Sequence, residues 1–216
     1  RGISLEVNEG EIVGVIGPTG AGKSTMLMAA AAAIPVAEGD IRFEGATVVG
    51  SRPERVVDRG ISRVPEGRHI FHRLTVGENL ELGTTTRKDD QVEQDKLRVF
   101  ELFPILKEYL KTPAGKLSGG EQQMLAVGRA LTTNPTLLLL DEATEGLAPL
   151  IRDEIWSCLS ALKSAGQAIL IIDKNVETLT EICDHHFIVE KGRLVWNGNS
   201  DELRANPEIQ QQYLGV

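Results

Sequence analysis

Eight residues near the start of the chain read Gly17-Pro18-Thr19-Gly20-Ala21-Gly22-Lys23-Ser24, the pattern G-x-x-x-x-G-K-S. The glycines let the backbone curl so that successive N–H groups point inward, as a bound phosphate requires. A helix opening at Lys23 presents its positive end to the same oxygens. Lys23 has the reach and charge to meet β- and γ-phosphates, and the Ser24 hydroxyl is a ligand for Mg²⁺. Thr25 follows in the same first turn and is grouped with these phosphate-binding residues. The pattern carries weight here because the β-branched run Ile12 to Ile16 precedes it and helical sequence follows.

A second group lies at Leu137-Leu138-Leu139-Leu140-Asp141-Glu142. A run of leucines suited to a buried strand carries two carboxylates out at its C-terminal end, where open α/β sheets bind ligands. Asp141 would hold Mg²⁺, and Glu142 would orient or deprotonate an attacking water. The third group is Leu117-Ser118-Gly119-Gly120-Glu121-Gln122-Gln123. Ser118 with Glu121 forms a capping-box pattern. That pattern leaves Gly119 and Gly120 unexplained, because glycine costs helix stability unless something must approach closely. Ser118, Gly119 and Gly120 are therefore a second candidate anion site at a helix start.

These groups need a scaffold, and the surrounding sequence predicts one. Ile3 to Val7 alternates as a half-buried strand does, and Glu11 to Ile16 reads as a buried strand. A helix is expected from Lys23 to about Ala33, stopped by Pro35. Short strands follow between Ile41 and Val49, then a helix over Pro53 to Asp58 with proline in its first turn, and a strand over Ile61 to Val64. From Thr75 to Tyr109 the texture turns helical, with Val99, Leu102, Phe103 and Leu106 at helical spacing. A helix opens near Ser118. Strands are expected at Thr136–Leu140 and Ala168–Ile172, helices at Leu150–Ser164 and Val176–Cys183. A strand-turn-strand spans Phe187 to Trp196 about Lys191-Gly192, and a helical tail runs from Ser200 to Tyr213. Strands alternating with helices predict an α/β fold with a largely parallel sheet.

Composition narrows the function classes. The formal net charge of −8 on 216 residues argues against a general nucleic-acid binder, which needs a basic face. The two cysteines, Cys158 and Cys183, form neither a metal-ligand spacing nor a disulfide framework and read as buried, reduced thiols of a cytosolic protein. No apolar run approaches the roughly 20 residues that cross a bilayer, so work at a membrane implies a partner there. His69, His72, His185 and His186 lack companions at metal-ligand spacing.

Leu117 to Gln123, placed between the glycine-rich loop and the leucine strand, resembles the signature of ABC (ATP-binding cassette) ATPases. The resemblance covers essentially the whole chain. It implies Mg²⁺-dependent ATP hydrolysis, coupled to transport. It implies a P-loop core with a largely parallel sheet, antiparallel β elements and an inserted helical subdomain. On that plan residues 1–72 and 117–198 form the core, 73–116 the helical subdomain and 199–216 a C-terminal tail. It also implies a head-to-tail dimer, with itself or a related ATPase subunit, in which Ser118 and Gly120 of one subunit contact the γ-phosphate held by the other. Ala143 to Leu147 resembles the loop linking the two sites.

The stretches Val64 to Val76 and Gly146-Leu147-Ala148-Pro149 resemble the ATPases of branched-chain amino-acid importers more closely. That likeness implies integral membrane permease partners and a peripheral position on the cytoplasmic face of the inner membrane. Phe71 and Leu74 become candidates for apolar contact with those partners, or equally for packing within the subdomain.

The pattern is broken in places. Glu66 stands where these ATPases generally carry a glutamine that reaches Mg²⁺, although glutamate also occurs in the branched-chain subgroup. Lys174 stands where most carry a histidine touching the γ-phosphate. Lysine can donate to a phosphate but cannot act as a neutral base near pH 7. A compensating Glu66–Lys174 ion pair is one expectation; a Lys174 directed to solvent is the other. No aromatic lies between Arg1 and the glycine-rich loop, so the adenine-stacking residue is expected upstream of Arg1. Two alternatives stay open: a nucleotide-binding regulatory module with little turnover, and a soluble ABC ATPase of DNA repair or translation.

Overall fold

The computed structural model describes residues 2–85, 87 and 89–214. In chain order its elements are β1 (Ile12–Ile16), α1 (Lys23–Ala30), β2 (Arg42–Phe43), β3 (Ala46–Thr47), α2 (Pro53–Asp58) and β4 (Ile61–Val64). Then come α3 (Val76–Leu82), α4 (Val92–Leu102), α5 (Pro104–Glu108), a short 3₁₀ turn (Ala114–Lys116) and α6 (Gly119–Leu131). The second half holds β5 (Leu137–Asp141), α7 (Pro149–Ser164), β6 (Ala168–Ile172), α8 (Val176–Ile182), β7 (His185–Glu190), β8 (Arg193–Asn199), α9 (Ser200–Ala205) and α10 (Pro207–Leu214).

The main sheet has the order β4-β5-β6-β1-β7-β8. Its first five strands run parallel and only β8 is antiparallel, joined to β7 through the Lys191-Gly192 turn. Strands buried on both faces read as continuous apolar runs, which is why Ile12–Ile16, Leu138–Leu140 and Ala168–Ile172 are apolar at every position but one, Gly14. Alternate residues feed two cores. Val13, Val15, Ile61, Leu139, Leu170 and Ile172 pack on the side of Leu27 of α1 and Val56 of α2. Ile12, Ile16, Val64, Leu138, Leu140 and Ile171 pack on the side of α6, α7 and the α3–α5 helices.

The expected elements are present, with four main differences. The helical tail is two helices, α9 and α10, with Asn206 between them. Ile3 to Val7 forms no strand, although Ile3, Leu5 and Val7 do pack against the α1-side core as the alternation predicted. The first helix ends at Ala30 rather than Ala33. Ala33 N–H donates to Met28 O at 2.8 Å and Ala32 N–H to Ala29 O at 3.0 Å, with Ala32 at φ 52. Those bonds make a Schellman stop, so alanine's helix preference is overridden before the run is used up. The leucine strand is shifted by one, to Leu137–Asp141, because Asp141 is drawn into the ladder opposite Ile172. Both cysteines are free and buried, as expected. Burial pushes the Cys158 thiol up to about 12 and moves Cys183 in the same direction.

The α3–α5 helices lean on α6 where Gly128 permits it. A Cβ at Gly128 would stand 2.9 Å from Val99 Cγ1 and 3.3 Å from both Leu80 and Leu106. Asn79, fully buried on α3, ties the preceding loop to this layer. Its Oδ1 accepts from Phe71 N–H at 2.9 Å, and its Nδ2 donates to Phe71 O at 3.0 Å and Thr75 O at 2.9 Å. Asn79→Ala orphans these buried groups, so a loss of about 2–3 kcal/mol is expected in urea unfolding.

His186 of β7 is also fully buried. The Ser200 hydroxyl donates to Cys183 O at 2.8 Å, so it accepts from His186 Nε2 at 2.7 Å, while Nδ1 has no partner. Burial, then the neighbouring His185 and Arg204, lowers the imidazole from 6.5 to about 4. The unfolded chain therefore takes up this proton at higher pH than the folded one. The stabilisation is complete above pH 6.5 and is lost as pH falls toward 4. The expected loss is ~3 kcal/mol, read as the part of the pH 7 to pH 4 drop in unfolding free energy that disappears in His186→Asn.

Candidate functional site

The glycine-rich loop leaves β1 at Gly17, and α1 takes over at Lys23. Gly17 lies so close to β7 that a Cβ would overlap the Val189 carbonyl oxygen. Gly20 and Gly22 adopt φ 77 and φ 103, conformations that side chains with a Cβ avoid. Pro18, Thr19 and Gly20 form the exposed rim. Ala21 is buried and held by Gly192 N–H, which donates to Ala21 O at 2.8 Å. Thr25 is exposed on the first turn of α1. Lys23 is buried, and its Nζ donates to Gly17 O at 2.8 Å and Pro18 O at 3.1 Å, which seats the ammonium against the loop. Desolvation lowers its pKa, opposed by Glu142.

Across the sheet, β5 delivers Asp141 beneath this loop. Asp141 is fully buried, and its Oδ1 accepts from the Ser24 hydroxyl at 2.9 Å. Its Oδ2 is held at 3.0 Å by Arg63 Nη2 from β4. Both donor atoms, the Ser24 hydroxyl and the Asp141 carboxylate, are hard oxygens of the kind Mg²⁺ takes.

Glu142 turns sharply out of the strand at φ 48, with its N–H donating to Ile172 O at 2.9 Å. A non-glycine residue in this region costs energy and marks functional sites disproportionately. Its carboxylate meets Lys174 Nζ at 3.2 Å, and Lys174 also pairs with Glu145. Burial raises the Glu142 pKa, aided by its hydrogen bond with Glu145 and opposed by Lys174. The bonds from Glu142 and then Lys174 lower that of Glu145. Thr144 Oγ1 donates to Asp173 Oδ2 at 2.5 Å, and Asp173 Oδ1 accepts from Asn175 N–H at 2.9 Å, so the two loops that carry Glu142 and Lys174 are fastened together.

The expected Glu66–Lys174 pair is not formed. Glu66 is exposed, and its carboxylate lies within 4.8 Å of those of Glu142 and Glu145, but the lysine bonds the latter two. The reason is position: the Thr144–Asp173 bond brings the lysine's loop to Glu142 and Glu145. Nor does Lys174 simply point to solvent, since its side chain is only half exposed while bridging two carboxylates.

The structure thus brings Lys23, Ser24, Asp141 and Glu142 to one place. Ser118, Gly119 and Gly120 lie at the start of α6, and no hydrogen bond or ion pair joins them to that place among the described residues. The capping box is present: Ser118 Oγ accepts from Glu121 N–H at 3.3 Å and Glu121 Oε2 accepts from Ser118 N–H at 2.6 Å. Both glycines have neighbours in their own chain that a side chain would strike. A Cβ at Gly120 would stand 2.5 Å from Ile151 of α7, and one at Gly119 2.9 Å from the Arg68 guanidinium. Ser118 itself is exposed. Phe71 is 54% exposed with the Arg129 guanidinium 5.4 Å from its ring centre, so it is not simply buried in the helical layer; Leu74 is partly buried.

Arg63 escaped the sequence reading. The available signal was a charged residue on the inward pleat of a buried strand, in phase with Ile61, where a charge demands a partner.

A sequence profile of the ABC transporter family matches residues 1–145 of the chain. The chain is 45% identical over 215 residues to the high-affinity branched-chain amino acid transport ATP-binding protein BraG of Pseudomonas aeruginosa, covering 99% of this chain and 91% of that protein. It is 34% identical to the lipopolysaccharide export system ATP-binding protein LptB of Escherichia coli K12, covering 99% and 89%. A nucleotide-free ATP-binding cassette from an ABC transporter superposes with a TM-score of 0.84 at 27% identity, covering 95% of this chain and 87% of that one. With the profile covering residues 1–145 and relatives of this identity matched over nearly the whole chain, the protein belongs to the ABC transporter family, as an ATP-binding subunit.

Proposed function

We propose that this chain hydrolyses ATP to ADP and phosphate to drive import of branched-chain or related amino acids through membrane permease subunits. The observation that carries the catalytic part is the Ser24–Asp141 bond at 2.9 Å, with Lys23 close enough to feel the charges of both Asp141 and Glu142. In this reading the backbone of Gly17 to Gly22 and the Lys23 ammonium bind and orient the β- and γ-phosphates, with Thr25 on the same turn. Ser24 and Asp141 would hold Mg²⁺, with Glu66 as a further oxygen ligand, and the ion would supply positive charge where negative charge builds on the phosphate oxygens. Glu142 positions the attacking water and accepts its proton. Its raised pKa, caused first by burial, suits a base more than an ordinary surface carboxylate would. The exposed Ser118 and the N–H groups of Gly119 and Gly120 would face nucleotide held by a second ATPase subunit, identical or related. The substrate rests on the likeness to the branched-chain relative, and the place of work is then the cytoplasmic face of the membrane. Among the described residues no helix is long and apolar enough to cross a membrane, so in this reading the membrane passage is supplied by permease subunits.

The test is phosphate release with Mg²⁺ and ATP, compared with Lys23→Ala, followed by the same assay with the permease subunits in vesicles and leucine presented from outside. Turnover that falls at least a hundredfold in Lys23→Ala supports the ATPase, and stimulation by leucine supports the cargo. ATPase activity that no amino acid alters would sink the amino-acid reading alone.

A further inference from the structure

Arg63 is used by none of the roles above. It lies on β4, the edge strand, in register with Leu139 of β5, so Asp141 stands two residues further along the neighbouring strand on the same face. A long side chain spans that diagonal, and Arg63 Nη2 reaches Asp141 Oδ2 at 3.0 Å. The Arg63 side chain is 19% exposed and the Asp141 side chain 1%, and Arg63 Nε is buried without a partner. Asp141 therefore divides its carboxylate between the Ser24 hydroxyl and a fixed guanidinium of its own chain. A guanidinium keeps its charge at any working pH and is more weakly hydrated than an ammonium, so it is suited to a permanent post beside a buried carboxylate.

We propose that Arg63 is a built-in counter-cation of the phosphate site, carrying part of the neutralisation otherwise left to the divalent ion, so that the chain binds ATP measurably without a divalent metal. The inference rests on the reading of the glycine-rich loop and of Ser24 and Asp141 given above. It concerns binding, not turnover. Its physical signature is a pair of effects of opposite sign. Loss of one positive charge beside Asp141 weakens the attraction for metal-free ATP, an anion, and strengthens that for a divalent cation. A residue that merely packs would shift both affinities in one direction or neither.

The experiment uses the whole chain and two binding measurements: ATP affinity by calorimetry in EDTA and in Mg²⁺, and Mn²⁺ affinity by electron paramagnetic resonance. Arg63→Met keeps the length and removes the charge; Arg63→Lys keeps the charge. In Arg63→Met, metal-free ATP affinity is expected to fall about tenfold, equivalent to about 1.4 kcal/mol, while Mn²⁺ binds more tightly; Arg63→Lys restores most of both. If Arg63→Met does not fold, Arg63→Gln, which retains a donor to Asp141 without charge, carries the same two expectations. An unchanged ratio of metal-free to Mg²⁺-bound affinity, a lysine variant that behaves like the methionine one, or wild-type chain that binds ATP only with metal would each overturn the proposal. Wild-type chain that binds ATP under neither condition overturns the phosphate-loop reading instead.

Discussion

Glu142→Gln is expected to bind ATP as the wild-type chain does and to turn it over at least about a hundredfold more slowly, the scale on which positioned acid–base groups act. The substitution is nearly isosteric, so the strained turn at φ 48 and the Glu142 N–H bond to Ile172 O survive it. What it removes is the oxygen pair able to take a proton from water. It also removes one of the two carboxylates that Lys174 bridges. Lys174 then stays on Glu145, so the neighbouring loop need not move. With hydrolysis blocked, a nucleotide-sandwiched dimer should accumulate, and the measurement is the mass in solution with and without ATP. A mass that doubles only with ATP supports Glu142 as the hydrolytic residue and Ser118–Gly120 as the face that meets the partner's nucleotide. Undiminished turnover would remove Glu142 from the chemistry.

Gly17→Ala is expected to damage the fold itself. The added Cβ overlaps the Val189 carbonyl oxygen and lies 3.1 Å from the Val189 carbonyl carbon, atoms of β7 that are fixed by the central sheet. It would also force an alanine to φ 150. Overpacking and backbone strain together suggest a loss of roughly 3–6 kcal/mol, comparable with the whole stability of many domains. Gly20→Ala is the matched control: Gly20 sits at φ 77, but no atom lies within 4 Å of its would-be Cβ. Strain alone costs about 1–2 kcal/mol there. Urea unfolding of the two variants should therefore separate widely. Equal losses would mean that φ, not the approach to Val189, is why Gly17 is a glycine.

Much of the site and its scaffold is legible in the order of residues alone. Lys23, Ser24, Asp141 and Glu142 are identifiable because short motifs express local needs: a loop that must curl, a helix that must start, a buried strand that must end in carboxylates. Ile12–Ile16 and Ala168–Ile172 are legible as strands for the same reason, since burial on both faces leaves an apolar run. The capping box at Ser118 spans four residues and needs no tertiary context. Even Ile3, Leu5 and Val7 show the correct inward face, although alternation cannot tell a strand from an extended segment with no ladder partner.

Other features belong to the folded chain alone. Gly119 and Gly120 can be seen to need a close neighbour, but only packing shows that Arg68 and Ile151 supply one. Lys174 stands where the family resemblance leads one to expect a histidine, yet its choice of Glu142 and Glu145 over Glu66 depends on the bond between Thr144 and Asp173. Arg63 reaches Asp141 across 78 residues of chain, and Ser24 reaches it across 117. By itself the sequence determined which groups could do chemistry and which elements would carry them, because hydrogen-bond periodicity and chain curvature act over a few residues. Which charge neutralises which was decided only by the tertiary structure, because an ion pair depends on distance and burial in space, and a parallel sheet sets both by joining strands far apart in sequence.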